Sequence, residues 1–140
     1  MKTLVAVDGS IYTRKMVDYL TGHVDLLASS TAMTVLTVMP EFPPRVHANL
    51  DRQEIDAYYQ RESTRILDAA TARLSKVYKN LESTWKVGPE GRTIAEFALQ
   101  GGFDLIVLGS HGRSAVGKLV MGSTATKVMA HCEIPLLLVR

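Results

Sequence analysis

Residues 104–124 read DLIVLGSHGRSAVGKLVMGST. The run Asp104 to Leu108 is almost entirely apolar, which predicts a short strand buried on both faces. Glycines, serines and basic residues follow from Gly109, and a helix is expected over about Ser123 to His131. Ile134-Pro135 then leads into a last strand, Leu136 to Val139. Strand, connection, helix and strand in that order form the repeating unit of a parallel sheet, because parallel neighbours need a crossover and a helix supplies it.

The same alternation runs back to the N-terminus. Lys2 to Val7 reads as a buried strand that stops at the turn residues Asp8-Gly9-Ser10. Met16, Val17, Leu20, Val24 and Leu27 are spaced like one face of a helix. Thr31 to Met39 is rich in β-branched residues and predicts strand two, after which the prolines of EFPPRVHAN impose a loop. Asp51 and Glu54 have capping-box spacing. The stripe Ile55, Tyr59, Ile66, Ala70, Leu74 and Val77 carries a long helix on to about Asn80. Glu82 to Val87 is a third strand of mixed pattern. Gly88-Pro89-Glu90-Gly91 breaks the chain before a short helix bearing Ile94, Phe97 and Ala98. The expected fold is therefore one α/β domain over residues 1–140, an open five-stranded parallel sheet with helices on both faces.

Composition bounds the function. The chain has 140 residues, 46% of them hydrophobic and 21% charged, as in an ordinary globular domain. A formal charge of +2 gives no electrostatic footprint for nucleic acid or a membrane surface. One cysteine, Cys132, excludes an internal disulfide framework and fits a reducing compartment. MKTLVAVDGS does not read as a signal peptide and no stretch has the length of a membrane span, so a cytoplasmic protein is expected.

Ligands of such sheets bind beyond the carboxyl ends of the strands, where strand order reverses. Asp8-Gly9-Ser10 and Gly109-Ser110 both follow strand ends. Two phosphate-loop readings compete for the second stretch. Residues 112–118 match G-x-x-x-x-G-K, but the next position must carry a magnesium-binding hydroxyl and holds Leu119. The alternative set is Gly109, Gly112 and Gly122-Ser123, spaced G-x2-G-x9-G-S and starting where the strand ends. Glycines admit phosphate oxygens to backbone N–H groups, and Ser123 with Thr124 opens a helix whose N-terminus favours anions. The second reading fits its context and is preferred.

On these residues the chain resembles the universal stress protein family. DLIVLGSHGRSAVGKLVMGSTATKVMAHCEIPLLLVR is similar to the family's C-terminal half, and MKTLVAVDGS to its opening strand. The resemblance implies a Rossmann-like fold of the adenine-nucleotide α-hydrolase type, and membership of the ATP-binding branch, which the G-x2-G-x9-G-[ST] motif marks. It implies that Ala6, Val7 and Val38 line the adenine and that Leu108 touches the nucleotide. Asp8 would stand near the ribose and a metal, with Mg²⁺ as the candidate. Gly109, Gly112, Gly122 and Ser123 would cradle the phosphates; the residues themselves add Thr124 as a further donor and Arg113, Lys118 and Lys127 as candidate screens of phosphate charge. It also implies a homodimer formed through the Leu136–Val139 strand. One departure is visible, because the family often has G-x-P-A before its third helix and this chain has Gly88-Pro89-Glu90-Gly91.

Blander roles compete for several of these residues. Asp8 suits a turn, and Ser10 suits a helix cap. His111 reads as a solvent-facing loop residue, Lys118 and Lys127 as a basic edge, and Cys132 as small apolar filler near a helix end. Asp8 is the one candidate metal ligand and no base for activating water is evident. The preferred function is thus a nucleotide-modulated stress-response module that binds ATP. A slow ATPase and a dimeric interaction protein without nucleotide are the alternatives.

Overall fold

The computed structural model describes residues 1–28, 32–111 and 121–140. Five strands, β1 (Lys2–Ala6), β2 (Ala32–Met39), β3 (Leu81–Val87), β4 (Leu105–Gly109) and β5 (Leu136–Val139), form one sheet. All pairings are parallel and the order is β3-β2-β1-β4-β5. Between the strands lie α1 (Ile11–Gly22), α2 (Pro44–His47), α3 (Arg52–Leu74), α4 (Glu90–Gln100) and α5 (Ser123–His131).

Alternation along the strands divides the core in two. Val5, Val35 and Val107 face one way, towards Met16 and Leu20 of α1 and Ile66, Ala70 and Leu74 of α3. Leu4, Leu36 and Ile106 face the other way, towards Ile94, Ala95 and Ala98 of α4 and Ala125 and Val128 of α5. A strand covered on both sides is apolar at most positions, which is why β1, β2 and β4 read as near-continuous runs broken by the buried threonines Thr3, Thr34 and Thr37. β3 lies at the sheet edge and leaves Glu82, Ser83 and Lys86 exposed, hence its mixed pattern.

Several boundaries differ from the sequence reading. The first helical stripe breaks after Gly22, and Val24–Leu27 forms a separate 3₁₀ turn with Val24 exposed. The proline-rich loop contains one helical turn, Pro44–His47, started by a proline at a position where its missing N–H costs nothing. α3 begins with the expected capping box, Glu54 N–H to Asp51 Oδ1 at 2.8 Å and Asp51 N–H to Glu54 Oε2 at 3.0 Å. It ends at Leu74 rather than near Asn80. Val77 and Tyr78 still reach the core from the following turn, so the apolar stripe outruns the helix. Among the described residues no helix is long and apolar enough to cross a membrane.

Candidate functional site: a crevice at the ends of β1 and β4

Sheet order reverses between β1 and β4. The chain leaves β1 for β2 on one side, then returns from β3 to β4 on the other. The two exits diverge and leave a shallow crevice, open to solvent, with about 30 Å³ of enclosed space. On the β1 side the Asp8-Gly9-Ser10 turn is fixed by Gly9 at φ +75°, a conformation that favours glycine. Asp8 Oδ1 accepts from Ser10 N–H at 2.9 Å and from the Thr13 hydroxyl at 2.8 Å, and Ser10 Oγ accepts from Thr13 N–H at 3.4 Å. Asp8 and Ser10 together therefore cap α1.

The opposite wall begins at Gly109. Ser110 N–H is bonded to Val139 O at 2.8 Å, and Gly122 N–H returns to Ser110 O at 2.7 Å, so the start of α5 is tied to the exit of β4. A Cβ at Gly122 would stand 2.8 Å from Ser110 O, and one at Gly109 would stand 3.1 Å from Tyr12 Cβ. Neither glycine is among those with positive φ. Their smallness serves the closing of protein on protein, a tighter constraint than the open phosphate approach expected from the sequence. Above this closure α5 starts at Gly122 with no side-chain cap and no acidic residue in its own first turn. Its first N–H groups have no intrahelical acceptor, and Gly122, Thr124 and Ala125 line the crevice. The Thr124 hydroxyl donates to Glu90 Oε2 of α4 at 3.0 Å.

The model of the family described as Universal stress protein family matches residues 1–140. The chain belongs to that family. It is 30% identical to the universal stress protein Slr1230 of Synechocystis sp., over 99% of this chain and 42% of that protein. It therefore spans under half the length of that relative. With the universal stress protein YxiE of Bacillus subtilis it shares 27% identity, over 99% of this chain and 98% of the relative. Among solved structures, the universal stress protein UspA from Lactobacillus plantarum aligns with TM-score 0.78 and 23% identity, over 100% of this chain and 97% of that one. A universal stress protein from Archaeoglobus fulgidus in complex with dAMP aligns with TM-score 0.67 and 18% identity, over 100% and 98% of the two chains. An Arabidopsis thaliana family protein with AMP bound aligns with TM-score 0.66 and 16% identity, over 99% and 90%. Solved family members thus share this five-stranded fold.

Of the residues singled out by sequence, Ala6, Val7, Asp8, Leu108, Gly109, Gly122 and Thr124 line the one crevice. Val38 is buried in the same core cluster as Ala6 and Leu108, beside the lining rather than in it. Ser123 is exposed at the first position of α5. Gly112 and Arg113 lie outside the described residues, as do Lys118 and Leu119 of the rejected P-loop pattern. His111 departs from its expected place in solvent. It is half-buried on the crevice wall, its ring 5.0 Å from that of Tyr12 and its Nδ1 2.9 Å from Ser110 Oγ. Sequence reasoning also missed Thr13, Glu90 and Ile94. Glu90 had a usable signal, since it follows a strand exit, as Asp8 does. Among the described residues no group of three or more His, Cys, Asp or Glu side chains is placed to hold a metal ion.

Proposed function

We propose that the chain is an adenine-nucleotide-binding module of the universal stress protein family, with ATP as its ligand. The observation that carries the reading is the start of α5. Among the described residues this helix N-terminus has no side-chain cap, and it opens into the crevice at the point where strand order reverses. Apolar Ala6, Val7 and Leu108 line the crevice and supply a floor for a purine, with Val38 packed behind Ala6 and Leu108. Asp8, in the same lining, is the proposed partner of a ribose hydroxyl. The backbone N–H groups of Ser123 and Thr124, with the Ser123 hydroxyl, are the proposed donors to phosphate oxygens, and Gly109 and Gly122 shape the wall beside them. Gly112 and Arg113 complete the proposed loop. The dAMP and AMP carried by the two family members named above support the choice of adenine.

The donor set also fits a magnesium ion that arrives with the nucleotide. Magnesium is usually held by one or two carboxylates together with substrate phosphates. Asp8 and Glu90 are the carboxylates of the described lining. Bound there, the ion would neutralise phosphate charge. The chain's own residues hold and orient the ligand, so the proposed activity is binding, with occupancy modulating assembly. Assembly is proposed as a homodimer through β5.

Purified protein, denatured before and after incubation with ATP and Mg²⁺, provides the test. Mass spectrometry of the released small molecules is expected to find retained ATP. ADP accumulating in excess over protein would move the reading to a slow ATPase. Absence of nucleotide from both samples would move it to an interaction protein.

A further inference from the structure

We infer that the protein has a second small-molecule site, a groove beyond the ends of β2 and β3 that takes an apolar organic amine. The inference stands apart from the nucleotide reading, since the described lining of the groove shares no residue with that of the crevice. The groove offers about 480 Å³ of open space, within the range of small-ligand pockets. Glu41 after β2, Val87 at the end of β3 and the first two turns of α3 surround it. Ile55 and Tyr59 are its buried apolar part, and Leu50 and Val87 stand exposed beside them. Its walls are fixed. The Tyr59 hydroxyl accepts from Phe42 N–H and donates to Pro40 O, both at 3.1 Å, which ties the exit of β2 to α3. Gly88 N–H donates to Met39 O at 3.0 Å, which ties the end of β3 to β2.

Charge and aromatic character together choose the ligand. Glu41 and Asp56 are the carboxylates of the described lining, and Arg52 is its one base. Asp51 and Glu54, the two partners of the capping box, flank Arg52 within the same turn. The mouth of the groove is thus acidic on balance, which favours a protonated amine over a carboxylate or a phosphate. Tyr59 adds an aromatic ring to the lining, and the rings of Phe42, Tyr58 and Trp85 stand 5.2, 6.0 and 6.2 Å from it. Aromatic rings beside carboxylates suit organic ammonium ions, because ring quadrupole and full charge attract the same group. The apolar remainder of such a ligand covers Leu50, Ile55 and Val87.

Trp85 is the chain's single tryptophan, so its fluorescence reports on the groove. The full chain is titrated with phenethylamine, phenethyl alcohol and phenylacetate, which share a ring and differ in charge. The amine is expected to bind about fivefold more tightly than the alcohol, the order set by two exposed charge pairs, and phenylacetate more weakly than either. Glu41 and Asp56 are both exposed, so Glu41→Gln with Asp56→Asn should keep the helix content and bring the amine down to the level of the alcohol. In backbone amide NMR spectra the amine should move the resonances of Ile55, Tyr59 and Val87. An alcohol that binds the wild type as tightly as the amine overturns the inference, as does an amine preference that survives in the double variant. Amide shifts confined to Asp8, Gly109 and Gly122 would put the amine in the crevice and overturn it too. Absence of any saturable change at Trp85 and in the amide spectra overturns it outright. None of these outcomes bears on whether the protein retains nucleotide.

Discussion

Thr37 of β2 has no exposed surface, and among the described residues its hydroxyl has no hydrogen-bond partner. A buried polar atom left unpaired costs about 1–3 kcal/mol, whereas a methyl in its place costs nothing in desolvation. Thr37→Val is therefore expected to stabilise the protein by about 1 kcal/mol, read from the urea midpoint at unchanged slope. Destabilisation would mean that the hydroxyl has a partner. Tyr78 is the opposite case, nine-tenths buried and donating to Leu20 O at 3.0 Å. Burial holds its phenol above the ordinary value of 10.0. Its contribution to stability is complete below that pH. As pH rises further the unfolded chain loses its proton first, so stability falls until the folded phenol ionises. Tyr78→Phe should flatten this alkaline decline in denaturation curves taken above pH 10, though it costs about 1 kcal/mol at neutral pH through the lost hydrogen bond. Neither behaviour could be read from the sequence, where a threonine in a strand and a tyrosine after a helix look ordinary.

At the scale of elements, the sequence announced what depends on local chemistry and hid what depends on packing. The Asp51 and Glu54 box was legible because both partners lie within one turn. The end of α3 was not, because Val77 and Tyr78 continue an apolar pattern from a turn that the core accepts equally well. The crevice shows the same division. Asp8 and Gly109 mark strand ends and Gly122 precedes a helix, so all three could be picked out as punctuation, and all three line the crevice. Glu90 and His111 became part of the site only when α4 and β4 came together around it. The closure of Gly122 on Ser110 belongs to this scale too. A Cβ there meets a backbone carbonyl, which cannot rotate away as a side-chain tip can. Gly122→Ala is expected to destabilise the fold by about 1–3 kcal/mol in addition to weakening nucleotide binding. A variant of unchanged thermal midpoint that still lost nucleotide would show that the glycine serves the ligand alone.

For the whole molecule, alternating strands and helices were enough to predict a parallel α/β sheet. They did not predict the order β3-β2-β1-β4-β5, which rests on which strands pair across the crossovers. That order leaves β5 at an edge. Ile106 N–H bonds Pro135 O and Ser110 N–H bonds Val139 O, so by alternation Leu136 and Leu138 turn their N–H groups outward. In the proposed dimer those groups pair with a second copy. Leu138→Pro removes one outward donor and spares the ladder to β4, and should shift the protein from dimer to monomer in sedimentation velocity at unchanged helix content. A variant that stays dimeric would place the contact elsewhere. The central ladder has one more consequence, in time rather than space. β1 is synthesised first, yet its second neighbour is β4, and Lys2 N–H must find Asp104 Oδ2 across 102 residues. Pairings that remote are slow to nucleate, because the intervening chain must be ordered before they return anything. The β1–β2–β3 half can condense early, while the crevice takes shape only when β4 docks. A nucleotide that recognises the crevice would then lengthen the lifetime of the native state and leave the speed of folding unchanged.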